Sequence, residues 1–427
     1  MTSDAFVYLM LPGTTQFVTA GRVALSTDPL GITTGRFVYG RRYLAREDAV
    51  PIDPIELKLD TRTYETQRMH GLFGALRDAG PDFWGRRVIE KYAGKPMESE
   101  LDYLLRSPDD RAGALGFGLN AEPPAPQRKF NRTIDLARLQ SLADQLIRDE
   151  DQPAAATQQH EQDSDLLLLG TSMGGARPKV VVEDDEALWV AKFNRTDDKW
   201  NHARVEHSML SLARESGLQV PLSRVETIVG RDVLLVKRFD RDHTGQGYHR
   251  ARMLSALTLL RTSDSHQDRD NWSYLLLAEE LRRICADPKT AAQELFKRMV
   301  FNALISNNDD HPRNHAVIAP GADWQLSPAY DLTPMPQVSL ERRDLALTVG
   351  QFGRRASAQN LLSQCTRFLF TPEEASKVID NMEACVRARW HAVARREGVT
   401  EADCQKIARA FVYEGFRLAG LGPGESA

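Results

Sequence analysis

Ser306-Asn307-Asn308-Asp309-Asp310-His311-Pro312-Arg313-Asn314-His315, followed by Pro328-Ala329-Tyr330-Asp331-Leu332, is the stretch on which the reading of this chain turns. Asn314 stands five positions after Asp309, and Asp331 stands 22 positions after it. One carboxylate of such a trio can orient and deprotonate an attacking hydroxyl. An asparagine and a second carboxylate can hold Mg2+ against ATP phosphates. The same residue types crowd ordinary turns, where their side chains cap backbone groups. These residues alone leave both readings open.

Working outward, the spacing of Asp309, Asn314 and Asp331 matches a kinase catalytic loop and metal-binding Asp. A kinase also needs a strand lysine for the phosphates, a helix carboxylate to position it and a flexible loop above them. Each has a candidate, in the right order. Leu188 to Phe193 is apolar except for Lys192 and reads as a buried strand carrying one ammonium. A lysine near a strand end can also simply snorkel to water. Ala203 to Ser216 has helical periodicity with Gly217 as its stop, and Glu206 lies in its first turns. That glutamate could reach the strand lysine, or it could be a solvated side chain helped by the helix dipole.

Upstream, Gly170-Thr171-Ser172-Met173-Gly174-Gly175-Ala176-Arg177-Pro178-Lys179 joins two apolar runs. Glycines there let backbone amides approach phosphate oxygens, although the Gly-Lys-Ser/Thr ending of a Walker A loop is missing. A plain hairpin connection is the alternative. Residues 233–241, Val-Leu-Leu-Val-Lys-Arg-Phe-Asp-Arg, read as a buried strand running out into charge. In a kinase this would be the hinge, with Val236 and Phe239 sandwiching adenine.

Taken together, these elements resemble the HipA family, the serine/threonine kinase toxins of bacterial HipA–HipB toxin–antitoxin modules. The matching pieces are Gly-Gly-Ala-Arg-Pro-Lys at 174–179, Ala-Lys-Phe at 191–193 and Glu206 with its helix. They continue with Val-Lys-Arg-Phe-Asp-Arg at 236–241 and the two stretches quoted first, so the likeness runs through the whole chain. The resemblance implies that Asp309 is the catalytic base, that Asn314 and Asp331 are Mg2+ ligands, and that Lys192 contacts ATP phosphates. It places Gly174 and Gly175 over the nucleotide and makes Ser172, or Thr171 beside it, the site of inactivating autophosphorylation. His311 would order the catalytic loop rather than do acid–base work. The family's targets are translation proteins such as aminoacyl-tRNA synthetases, phosphorylated to arrest growth, and its partner is a HipB-like DNA-binding antitoxin. Two departures bear on this: Arg177-Pro178 is only one of the pairs the family shows before the loop lysine, and Lys237 stands where a glutamate can occur.

Composition agrees with a large globular enzyme. At 427 residues the chain can build two or three full cores, and 42% hydrophobic with 27% charged residues lies in the globular range. The four cysteines, Cys285, Cys365, Cys385 and Cys404, have neither zinc nor disulfide-framework spacing, which favours a reducing cytoplasm. No basic signal-peptide region opens the chain and no apolar run approaches a membrane span, so a cytoplasmic location is expected. A net charge of −4 argues against strong unaided nucleic-acid binding and leaves any operator contact to a partner.

The expected fold is α+β: a two-lobed protein-kinase-like fold with a mixed α/β N-lobe, an added β-rich N-terminal subdomain and an all-α C-lobe. Texture sets the expected boundaries at 1–125, 126–240 and 241–427. Short β-like runs fill residues 5–60, residues 64–106 turn helical with Phe83-Trp84 as an anchor, and 149–163 read as an exposed acidic and polar loop. Thr371-Pro372-Glu373-Glu374 marks a strong helix start, with the helix running to Arg396. Two other functions fit the same residues. One is a lipid or small-molecule kinase, since Asp-x-His-x-x-Asn loops also resemble those of phosphoinositide kinases. The other is a catalytically idle corepressor of a DNA-binding antitoxin.

Overall fold

The computed structural model describes residues 2–126, 130–148, 177–336 and 339–418. The chain folds into two compact units. The first comprises Met1–Arg195, Thr227–Leu254 and Ile318–Asp323; the second comprises Thr196–Glu226, Ser255–Val317 and Trp324–Ala427.

The first unit holds two sheets. One is antiparallel, in the order β4-β3-β2-β1-β5, built from β1 (Thr2–Met10), β2 (Phe17–Thr27), β3 (Thr33–Tyr39), β4 (Tyr64–Thr66) and β5 (Leu115–Gly118). In β3, Gly35, Phe37 and Tyr39 are buried while Arg36 and Val38 face water, the period-two pattern of a half-buried strand. Gly35 permits a close backbone approach: a Cβ there would lie 1.7 Å from the carbonyl oxygen of Gly71.

The second sheet runs β6-β7-β8-β10-β9, from β6 (Asn131–Arg132), β7 (Lys179–Glu183), β8 (Leu188–Phe193), β9 (Ser223–Ile228) and β10 (Arg231–Lys237). The hairpin between β7 and β8 closes where Asp184 Oδ1 accepts the amides of Glu186 and Ala187 at 2.9 and 2.8 Å. One face of this sheet (Val180, Val182, Trp189, Ala191, Phe193, Val233 and Leu235) packs on two helices, Phe83–Ala93 and Leu136–Arg148. Trp84 anchors the first of these and is 2% exposed, whereas Phe83 is 61% exposed and is no anchor. Helix periodicity turns adjacent residues about 100° apart, so both could not face the sheet.

The end of β10 carries a buried ionic cluster. Arg238 pairs with Asp110 and Asp240, and Arg241 pairs with Asp240, all with side chains at most 2% exposed. The carbonyl of Arg111 accepts from Arg238 at 2.8 Å and also from Arg241. This network ties the 110–113 loop to the strand end.

Asp53 is a buried carboxyl of a different kind. Its Oδ1 accepts the amides of Ile55 and Glu56 at 2.6 and 3.2 Å, but its Oδ2 is buried with no partner among the described residues. Desolvation raises its pKa to about 6, well above the ordinary value. A carboxyl whose folded pKa lies above its unfolded value binds extra protons when folded, so stability falls as pH rises between roughly 4 and 6. Asp53→Asn keeps the acceptor and removes the charge. It should stabilise the protein at pH 7 by on the order of 2 kcal/mol and flatten that pH slope. Thermal melts of both proteins at pH 4.5 and 7 would read this; a mutant no more stable at pH 7 sinks it.

The second unit is mainly helical, and its longest helices among the described residues are His202–Glu215, Tyr274–Ile284, Pro288–Leu304 and Pro372–Arg396. The last of these begins with a full capping box, in which Thr371 accepts the Glu374 amide and Glu374 accepts the Thr371 amide, and it ends at Arg396 as expected. Strands are also present beyond residue 240: those at Arg241–Thr244, Gly247–Arg250 and Arg252–Ser255 belong, up to Leu254, to the first unit, and another runs over Ala316–Ala319. The first two pair as a short hairpin of mostly polar residues, which has no alternation long enough to be legible as strand.

Candidate active site

Helix Pro288–Leu304 delivers the Asp309 loop. Its last two turns, residues 298–304, are buried on all sides, and Asp287 caps its start by accepting the Thr290 amide at 3.0 Å. The helix stops where Ser306 turns left-handed at φ 54°. Ser306 Oγ then donates to the Ala410 carbonyl at 2.6 Å, which holds that turn in place. Asn307 follows, fully buried; its Nδ2 donates to Asn302 Oδ1 at 3.1 Å and reaches the Asp331 carbonyl at 3.4 Å.

The loop itself is a compact turn. The carbonyl of Asp309 accepts the His311 amide at 2.8 Å and Asn314 Nδ2 at 3.0 Å. This bond turns the amide oxygen of Asn314 away from the Asp309 carbonyl. Asp310 and His315, both nearly fully buried, face each other at 2.9 Å, and the Tyr274 ring meets His315 edge-on at 5.4 Å. Arg313 pairs with Asp264 at 2.6 Å. His311 enters through its backbone, accepting the Asn314 amide at 2.9 Å.

The Asp331 segment is pinned to this loop from several directions. Tyr330 Oη donates to the Arg313 carbonyl at 2.8 Å. The Ala329 amide donates to the Gln219 carbonyl at 2.8 Å, and the buried Arg298 donates to the Ser327 carbonyl. Asp331 sits at φ 56°, a conformation costing on the order of 1 kcal/mol that surrounding contacts must enforce. Asp309 is exposed at the loop's lip, yet its pKa is raised: partial burial is the largest cause, His311 opposes it and the like charge of Asp331 adds to it. Asp309, His311, Asn314 and Asp331 thus stand together. Their oxygen donors suit a hard cation such as Mg2+, which takes one or two carboxylates and completes its shell with phosphates and water.

The remaining candidates occupy the first unit and one helix of the second. Lys192 is opposite Lys179 and Leu234 in register, and Val236 is opposite Val190. Strand alternation therefore puts Lys192, Val190, Leu234 and Val236 on the sheet face away from the packed helices. Lys179 is committed elsewhere: its ammonium pairs with Asp82 at 3.3 Å, both side chains being buried. At the expected hinge, the Arg238 amide donates to the Leu188 carbonyl and the Asp240 carbonyl accepts the Ala251 amide, so these groups serve the fold. Phe239 is half-buried just past the strand. Glu206 is 7% exposed, in a helix capped by Asn201, and so is not a solvated glutamate. Thr171, Ser172, Gly174 and Gly175 lie outside the described residues.

Sequence reasoning missed Asn307, Asp310, Tyr330 and Arg298 as supports of the loop. Three of them are within the quoted stretches, but nothing local distinguishes a buried polar anchor from an exposed turn residue.

A fold with a mixed sheet unit, a helical unit and an Asp–Asn–Asp loop defines a kinase-like class. The sequence profile of the HipA-like C-terminal domain matches residues 171–390, more than half of the chain. The chain belongs to this family. A Haemophilus influenzae relative named "Putative kinase" is 24% identical over 195 residues, which cover 40% of this chain and 55% of the relative. The match therefore spans little more than half of that relative's length. The Sinorhizobium fredii protein named "Putative kinase Y4mE" is 24% identical over 321 residues, 69% of this chain and 71% of the relative. Among solved structures, a chain of the Shewanella oneidensis MR-1 toxin–antitoxin system HipA, HipB and operator DNA complex superposes with TM-score 0.68. It is 16% identical, and the superposition covers 95% of this chain and 94% of that one, so the α+β kinase-like fold is common to both. No helix among the described residues is long and apolar enough to cross a membrane.

Proposed function

We propose that this protein is an ATP- and Mg2+-dependent kinase that phosphorylates a serine or threonine hydroxyl of a protein. What carries the reading is the gathering of the Asp309 and Asp331 carboxylates beside an Asn314 amide whose nitrogen is already tied to the loop. Asp309 accepts the proton of the attacking hydroxyl as its oxygen bonds to the γ-phosphorus and the bond to ADP breaks. Asn314 and Asp331 would hold the Mg2+, which supplies charge neutralisation to the phosphates. Lys192 orients the nucleotide from the sheet unit, with Glu206 as its positioning partner and Val236 and Phe239 against adenine. His311 orders the loop. In the cell we read the chain as a toxin that arrests growth through a translation-related target such as an aminoacyl-tRNA synthetase. A HipB-like antitoxin restrains it and carries any DNA contact, and autophosphorylation at Ser172, or Thr171, shuts it off. The kinship to the HipA-like C-terminal domain family and the names of the two relatives support this reading.

Calorimetry with ATP, and thiophosphate transfer in a lysate, test it. The expected outcome is magnesium-dependent ATP uptake, lost in Asp331→Ala, together with labelled protein bands. Uptake without magnesium dependence, or label confined to lipid, overturns the assignment.

A further inference from the structure

Beside the Asp309 loop the second unit contains a cavity of about 560 Å3, open to solvent on one side and within the usual size of ligand pockets. Arg269, Arg342, Arg343 and Arg354 line it together with Asn308 and Asp344. Four guanidinium groups face one carboxylate, and that carboxylate is engaged by Arg342 through two bonds of 3.1 Å. Arg343 is only 2% exposed. Its Nη1 donates to Ser306 Oγ and to the Ala410 carbonyl, and its Nε donates to the Ser339 carbonyl at 3.1 Å. Its Nη2 is buried with no partner among the described residues, and so is Arg269 Nε. Arg354 donates to the Arg269 carbonyl at 2.7 Å, and its nearest carboxylate, on the exposed Asp270, is 4.0 Å away.

A buried guanidinium donor left empty is costly, and an arginine fork matches a carboxylate or phosphate. The cavity therefore has the charge of an anion site, with the exposed Arg342 and the part-exposed Arg354 as the guanidinium groups an anion can reach. Its location says what carries the anion. Asn308 is at once a wall of the cavity and the residue preceding Asp309. An anion bound here lies next to the place where an acceptor hydroxyl must come.

The geometry points to a substrate-recognition subsite: this arginine-lined cavity binds an acidic or phosphorylated residue flanking the hydroxyl that is phosphorylated. The inference rests on the kinase reading and gives it a substrate class, a polypeptide with a negative charge close to its acceptor. Burial lowers the pKa of Arg343; for Arg354 burial and then the neighbouring Arg269 lower it, against the opposing charges of Asp270 and Asp344.

Serine peptides carrying aspartate or phosphoserine at each flanking position in turn, compared with alanine versions, provide the first arm. Wild-type protein should favour the acidic peptide by about tenfold in kcat/KM, through KM. In the Arg342→Ala/Arg354→Gln double variant that preference should fall towards one. These two arginines make only surface or backbone contacts, so the fold should survive, which circular dichroism checks. The second arm is anisotropy with a fluorescein-labelled phosphoserine peptide, competed by inorganic phosphate. Binding by wild type that weakens about tenfold in the variant supports the subsite even if no peptide is phosphorylated, an outcome that would sink the kinase reading alone. Phosphorylation without acidic preference, equal peptide binding by both proteins, or stronger competition from duplex DNA than from the phosphopeptide overturns the subsite while the kinase reading stands.

Discussion

Asp309→Asn should lower phosphoryl transfer by about 10²–10⁴-fold, the usual contribution of a positioned general base, while leaving the protein at least as stable. The reason is in the loop's contacts. The bonds that shape the turn use the Asp309 carbonyl, which accepts from His311 and Asn314, and asparagine keeps that carbonyl. The side chain, by contrast, is partly buried beside the Asp331 carboxylate, which raises its pKa above the usual value. Removing the charge relieves that repulsion, so activity and stability should move in opposite directions. The measurement is thiophosphate transfer alongside a thermal melt. Full activity in the variant would remove Asp309 from the chemistry. A large fall in melting temperature would mean that the loop needs the charge itself.

The second large effect is on folding. Arg238→Ala should destabilise the protein by about 3–5 kcal/mol, the loss expected when one partner of a buried ion pair is removed. Arg238 reaches Asp240 Oδ1 and Oδ2 at 3.0 and 2.9 Å and the Arg111 carbonyl at 2.8 Å, and it also bonds Asp110. Asp240 would retain Arg241 at 2.7 Å and the Gly113 amide at 2.9 Å. Asp110 would not be so served: its Oδ2 is already without a partner among the described residues. The orphan is therefore Asp110, and the double variant Arg238→Met/Asp110→Leu should recover much of the loss. Urea unfolding of the three proteins decides the matter; a single variant costing less than about 1 kcal/mol would show the cluster to be dispensable.

Legibility followed the range of the interactions. The Asp309, Asn314 and Asp331 spacing could be read because a loop and its next segment are close in the chain. The capping box at Thr371 and the stop at Arg396 are local as well, since a cap needs only its own first turn. The strand bearing Lys192 could be read from its apolar run, but the face it shares with Val236 came only from the pairing register. The pairing of Arg238 with Asp110, 128 residues away, had no such signal. Nor did the commitment of Lys179 to Asp82, 97 residues away, or the outward turn of Phe83.

By itself the sequence determined the order of the elements, the caps and the chemical types available to the Asp309 loop, because periodicity and spacing act over a few residues. Only the tertiary structure decided which charges are neutralised and which are left over. Arg238, Arg298 and Arg343 are all buried arginines in the same chain. One closes on two carboxylates, one holds the Ser327 carbonyl ahead of Asp331, and one braces the Ser306 turn while lining a cavity. Partners brought together by the fold, rather than residue type, set those fates, since the energy of a buried charge depends on what surrounds it.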